Sequence, residues 1–237
     1  MLGLYNRLEE NAKQNGSLIQ KATRRASDRI VNGEAVAKHA MPWQVALVEK
    51  DTTILHCGGS IICPKFVISA AHCSFKFMEW EYRPDEHDIL VGEHDLSNPV
   101  STRHAIKKIH PHPEYNATNN DLDVSIYELS QPIEMTPIVQ AVHLPEQSDH
   151  DLNEGTVMVV SGWGRLEDGG IFANELQATK IPIVSDYDCK HAYPQRFTTH
   201  MVCVGYLDTG RSDSCKGDSG GKEFLDVCKT IHKVRTT

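Results

Sequence analysis

From Ile30 onward the apolar residues come in short runs, each broken within a few positions by Gly, Pro, Asn or Asp. A chain punctuated this way has little room for long helices and must fold from short strands. Trp43–Val48, Ile54–Ile62 (with Gly58-Gly59), Phe66–Ser69, Ile89–Val91, Val124–Leu129, Thr156–Val160 and Met201–Val204 all read as strands. The pattern predicts an all-β sandwich or barrel. At 237 residues and 40% hydrophobic, the chain can bury a substantial core in one or two domains. No run approaches the ~20 apolar residues of a membrane helix. There is no internal repeat or Gly/Ser linker, and Pro132, Pro137 and Pro145 place the break between two halves near 132–145.

Both ends differ from the middle. Met1–Arg29 is polar and cysteine-free, carries a dibasic Arg24-Arg25, and offers only a weak helical spacing in Leu4, Leu8 and Ala12. It lacks the apolar core and small-residue cleavage site of a signal peptide, so either the natural start is expected upstream or the gene model is incomplete. Lys222–Thr237 is rich in Lys and Arg and shows neither strand alternation nor a helix face. The net charge of −8 argues against general nucleic-acid binding, which relies on cations at phosphates. Residues 1–29 hold six Lys/Arg against three Asp/Glu, leaving 18 against 29 in the remainder. Seven cysteines are too many for a typical cytosolic enzyme. The odd number leaves at least one unpaired, or paired with another chain.

The strongest chemical signal is Gly217-Asp218-Ser219-Gly220-Gly221. Three glycines permit a tight turn that exposes the serine hydroxyl. An α/β-hydrolase elbow would need its acid and histidine after the serine, and only 18 residues follow Ser219. The partners therefore lie upstream. Among 13 histidines, His72 stands out in Ser69-Ala70-Ala71-His72-Cys73, directly after an apolar run. His56, His94, His104, His110, His112 and His150 read as packed or solvated side chains. The third partner should be a carboxylate entering an apolar strand, where it can be buried against the imidazole. Asp123, at the head of Val124–Leu129, fits best. Asp121 competes from the same face, but a second charge follows it where apolar residues are expected.

Taken in order, these motifs resemble the trypsin-type (chymotrypsin-fold) serine proteases across residues 30–221. Ile30-Val-Asn-Gly33, Pro42-Trp43-Gln44-Val45, Cys57-Gly-Gly-Ser60, Ser69–Cys73, Asp123–Ile126, Ser161-Gly-Trp-Gly164 and Asp213–Gly221 follow in family sequence. The resemblance implies two antiparallel Greek-key β-barrels. Residues 1–29 would form a propeptide and 30–237 a peptidase domain, with a first barrel at about 30–139, an incomplete second barrel at about 140–221, and an atypical tail at 222–237. Ser219 would be the nucleophile, His72 the base and Asp123 its orienting acid. The N–H groups of Gly217 and Ser219 would form the oxyanion hole, and Asp213 would select Arg or Lys before the cut bond. Cleavage after Arg29 would free an Ile30 ammonium to pair with Asp218. Cys57–Cys73 and Cys189–Cys203 match family disulfides. A secreted monomeric endopeptidase follows, acting on protein or peptide substrates, switched on by an activating protease, and meeting serpin or Kunitz-type inhibitors. Neither cofactor, membrane nor nucleic acid is implied.

Several positions depart from that pattern. Cys63, Cys215 and Cys228 are left over, Met158 stands where a family cysteine pairs, and Cys63 reads as a buried free thiol. No His-Glu-Xaa-Xaa-His or Cys-Xaa-Xaa-Cys marks a metal site. The calcium loop of some family members maps to Glu93–Arg103, where Glu93 and Asp95 alone give carboxylates and Arg103 adds a positive charge, so that site reads as lost. Asn15-Gly-Ser17 and Asn116-Ala-Thr118 are glycosylation sequons. After Gly221 the family's closing strands and helix are replaced by Lys222–Thr237, which suggests a truncated or mis-spliced form. Two rival readings follow: a catalytically silent homologue serving as a binding or regulatory module, and a non-functional product.

Overall fold

The structure, a computed structural model, describes residues 34–76, 79–82, 84–144, 153–164 and 171–205. The expectations on Asn15, Arg29, Ile30, His150, Asp213, Cys215, Gly217, Asp218, Ser219, Cys228 and the 222–237 tail lie outside them. Among the described residues, eleven strands run in chain order: β1 (Glu34–Ala35), β2 (Gln44–Glu49), β3 (Leu55–Cys63), β4 (Phe66–Ser69), β5 (Phe75–Lys76), β6 (Glu79–Tyr82), β7 (His87–Val91), β8 (Thr102–Pro111), β9 (Ser125–Leu129), β10 (Val157–Gly162) and β11 (Gln177–Pro182). A short helix follows them, α1 (Asp186–Ala192). The fold is all-β. Six antiparallel strands close into a barrel in the order β2-β3-β4-β9-β8-β7, and β1-β11-β10 form a separate three-stranded sheet.

β2 explains how the two parts meet. Its sequence Gln-Val-Ala-Leu-Val is buried at every position, without the alternation of a strand that has one wet face. Val45 and Leu47 point into the barrel core with Ile61, Val67, Ile89, Ile109, Tyr127 and Leu129. Ala46 and Val48 face outward, yet join a second apolar cluster with Leu90, Leu96, Trp163 and Leu176. That second cluster is the seam between the barrel and the β10–β11 sheet. Trp163 fills it, and its indole N–H donates to the His94 carbonyl at 3.0 Å. Ser161 Oγ donates to Gln44 Oε1 at 2.8 Å across the same seam. The Trp43-Gln44 and Gly162-Trp163 motifs thus answer one another.

Six of the seven runs read as strands fall in β2, β3, β4, β7, β9 and β10. Met201–Val204 is the exception. It makes only isolated bridge contacts, with Val204 opposite Ile183, while its Cys203 is bonded to Cys189 of α1. That disulfide holds the run against the helix rather than along a sheet. β8 escapes a reading by alternation because a bulge intervenes between Ile106 and Lys108. His104, Ile106 and Ile109 therefore face inward at uneven spacing, with Lys107 and Lys108 both exposed. α1 is short, but its N-cap is clear: Ser185 Oγ accepts the Asp188 N–H at 3.0 Å. Acids occupy its first turn, with Lys190 and His191 in its last.

A charged residue is buried in the barrel wall. Asp88 on β7 is fully buried and accepts hydrogen bonds from Lys50 Nζ (2.7 Å), Arg103 Nη1 (3.0 Å) and the Asp51 N–H (3.2 Å). Burial alone would push this carboxyl up, but the Lys50, Asp51 and Arg103 bonds together hold it below its ordinary 3.8. A depressed acid stabilises the fold above its unfolded value, and that contribution is lost as pH falls toward the lower folded value. The unfolding free energy measured in urea should therefore drop between pH 5 and pH 3. Asp88→Asn should cost about 1–3 kcal/mol at pH 7, since both cations keep partial solvation, and should flatten that acid limb. An unchanged limb in the variant would contradict this role.

Candidate active site

The site is built where β4 leaves the barrel. Ala70 and Ala71 are buried in the turn that follows it, at positions where larger side chains would strike the core. The chain then closes a 3-10 turn over His72–Ser74, with the Ser74 N–H donating to the Ala71 carbonyl at 2.9 Å. Cys73 is disulfide-bonded to Cys57 of β3, which fixes the turn to the barrel wall. Cys189 and Cys203 are bonded likewise, and Cys63 is a free thiol, only half-buried where full burial was expected.

His72 meets Asp123. Asp123 Oδ1 accepts the His72 backbone N–H at 2.7 Å, and its Oδ2 lies 2.6 Å from His72 Nδ1. An ionised carboxylate can only accept, so Nδ1 carries the hydrogen and Nε2 keeps its lone pair. Asp123 is 3% exposed, and the imidazole reaches the surface beside it. A base held in one tautomer by a buried acid, with its second nitrogen left as an acceptor, can take a proton from a nucleophile placed against Nε2. Of the residues singled out in the sequence, His72, Asp123, Cys57 and Cys73 are brought together here.

Asp121, the competitor, takes other partners. Its carboxylate accepts from the Thr198 hydroxyl, and its two oxygens lie 3.1 and 3.2 Å from His200 Nδ1. Burial pushes this carboxyl up, but the Thr198 and His200 bonds overcome it and leave it below its ordinary value.

Further side chains support the pair. Ser74 Oγ lies 2.7 Å from the Tyr127 hydroxyl and 3.4 Å from Ser125 Oγ, tying the histidine turn to β9 directly behind Asp123. His56, read as packed or solvated, has its Nε2 2.9 Å from the Cys73 carbonyl, so Nε2 is the donor there. Its ring lies against His87, with centroids 4.4 Å apart. The one available signal was adjacency: His56 precedes Cys57, and Ser74 follows Cys73.

Cys57, His72 and Cys73 also bring three potential metal donors within 4.8 Å. Both sulfurs are spent in the disulfide, so the group does not make a metal site. In the Glu93–Arg103 loop, the buried Glu93 carboxylate accepts the N–H groups of His94, Asp95, Val100 and Ser101. Arg103 is turned to Asp88 and the Thr52 carbonyl. Four amides hold that carboxylate where a cation would otherwise require it.

Burial lowers the His56 pKa from 6.5, its bond to the Cys73 carbonyl opposes that, and the nearby His72 lowers it further. The folded protein therefore resists a proton that the unfolded chain accepts. Stability should fall as pH drops through about 6.5 and level off below the folded value. Urea melts from pH 7.5 to 5 should show this slope, and His56→Gln should reduce it. His39 and His104, lowered by burial in the same direction, keep the remainder. An identical slope in the variant would show that His56 does not contribute.

Comparison with known proteins agrees with the geometry. The family model described as Trypsin matches residues 30–223. The trypsin of Squalus acanthias is 38% identical over 194 residues, covering 82% of this chain and 79% of the relative. Human kallikrein-15 is 35% identical over 218 residues, covering 86% and 79%. The trypsin of Sus scrofa is 36% identical over 195 residues, covering 82% and 78%. A buried acid fixing a half-buried histidine, on a closed six-stranded barrel and within a match of this extent, leaves one assignment: the chain belongs to the trypsin family of serine proteases.

Proposed function

We propose that this chain is a secreted endopeptidase, made as a zymogen and cut after Arg29, that hydrolyses peptide bonds following Arg or Lys. The observation that carries this reading is the double hydrogen bond from His72 to the buried Asp123. Ser219 attacks the scissile carbonyl while His72 Nε2 takes its proton. Asp123 stabilises the imidazolium that forms, and His72 returns the proton to the leaving amine. The Gly217 and Ser219 N–H groups stabilise the oxyanion. Asp213 pairs with the basic side chain before the cut bond, and Ile30 pairs with Asp218 once Arg29 is cleaved. Protein or peptide substrates and an upstream activating protease are the partners this chemistry needs, and protein inhibitors of the serpin or Kunitz type would act on the same residues. Asn116 is exposed, with its Oδ1 accepting the Thr118 N–H at 2.9 Å, and would carry an N-glycan in a secreted chain.

The test is hydrolysis of an Arg-amide chromogenic substrate after cleavage at Arg29. Activity should fall by about ten-thousandfold or more in Ser219→Ala, the loss typical of this triad. Lys-amides should also be cut and Phe- or Glu-amides should not, and Asp213→Ser should erase that preference. A folded, cleaved protein with no activity above the Ser219→Ala background would instead support the silent binding module.

A further inference from the structure

We propose that Asp121 is a positioning residue for the reaction: it pins the loop carrying Asp123 to the second half of the molecule. The inference rests on the reading of His72 and Asp123 as base and acid. Asp121 lies between Asn120 (φ 58°) and Leu122 (φ 54°), two of the four non-glycine residues at positive φ among the described residues. Leucine has no local hydrogen bond to offer in that conformation, so contacts beyond the loop must impose it. The loop is folded on itself. Asn116 bridges Asp121, with its N–H donating to the Asp121 carbonyl at 3.0 Å, and Tyr115 OH donates to Asn120 Oδ1 at 3.1 Å. Its Leu122 end is turned sharply by the Val124 N–H donating to the Leu122 carbonyl at 2.8 Å.

The Asp121 carboxylate is the tether. It reaches Thr198 and His200, some 77 and 79 residues further along the chain. Those two residues are themselves held together, the His200 N–H lying 3.3 Å from Thr198 Oγ1. Both fall inside the loop closed by the Cys189–Cys203 disulfide, so the anchor is stapled to α1. Two residues beyond Asp121, both oxygens of Asp123 are committed to His72. A hydrogen bond of 2.6 Å tolerates little displacement. Releasing the loop at Asp121 lets Leu122 relax, and Asp123 moves with it. The second half of the molecule thereby helps set the tautomer and orientation of a base carried by the first barrel.

The experiment compares wild type with Asp121→Ala, Asp121→Asn and His200→Ala, each cleaved after Arg29. In Asp121→Ala, kcat on the Arg-amide should fall about 10–100-fold with KM nearly unchanged, the range expected of a misplaced catalytic group. Asp121→Asn keeps a carbonyl acceptor and should recover most of the loss. His200→Ala removes one anchor and should fall between them. A second readout needs no activity. The His72 Nδ1 proton, identified by its loss in His72→Ala, should give a downfield, exchange-protected NMR resonance in wild type and exchange at least tenfold faster in Asp121→Ala. Unchanged kcat and unchanged exchange in a folded Asp121→Ala would overturn the inference. So would a wild type without that resonance. Should Asp121→Ala not fold, His200→Ala and Asp121→Asn decide on the same two readouts. An inactive wild type whose resonance responds to Asp121 would refute the proposed peptidase and leave the tether standing.

Discussion

A carboxylate taken out of water has to recover in hydrogen bonds what it loses in hydration, and Asp123 draws two of those bonds from a single residue. One of them comes from the backbone of His72 and the other from its ring. The same group therefore fixes where the histidine sits and which way its imidazole points. Much of the surrounding structure serves that contact. Ala70 and Ala71 let the chain turn closely, the Cys57–Cys73 disulfide closes the loop, and Ser74 joins it to Tyr127 on β9, the strand that follows the acid. His56 secures the carbonyl of the residue immediately after the base.

The barrel makes this possible by giving β2 two interiors. A strand buried on both sides can carry a closed barrel on one face and a second sheet on the other, and β2 does this with only Val, Ala and Leu. Trp163 and Leu176 on the far side complete the seam. Several polar groups along the way are matched: Gln44 with Ser161, the Trp163 indole with the His94 carbonyl, and, inside the barrel, Asp88 with Lys50 and Arg103. The first two of these contacts link the barrel to the second sheet, and the Asp121 contact to Thr198 and His200 adds another link, two residues from Asp123.

The strands of the first barrel were legible because their apolar residues are short, β-rich and bounded by turn formers. His72 and Asp123 were legible because each stands beside such a run. β8 was not, since a bulge shifts its inward residues out of alternation and places two lysines side by side. Met201–Val204 misled for the opposite reason: a strand-like composition is overruled by a disulfide to α1. The apolar run after Asp123 marks the carboxylate that lies against His72, yet nothing local reveals that Asp121 has partners of its own. Those partners are 77 and 79 residues away, and contacts at such separation leave no trace in spacing. His56 and Ser74 were missed for a related reason, because their role depends on which carbonyl or hydroxyl the fold brings to them.

In the proposed mechanism the His72–Asp123 pair activates a serine at position 219. Treating the Arg29-cleaved protein with a fluorophosphonate and locating the adduct by mass spectrometry tests it most directly. One phosphonyl group per chain is expected, on Ser219, with labelling slowed by several orders of magnitude in His72→Ala. A folded, cleaved wild type that stays unlabelled, or labels equally well without His72, would contradict it.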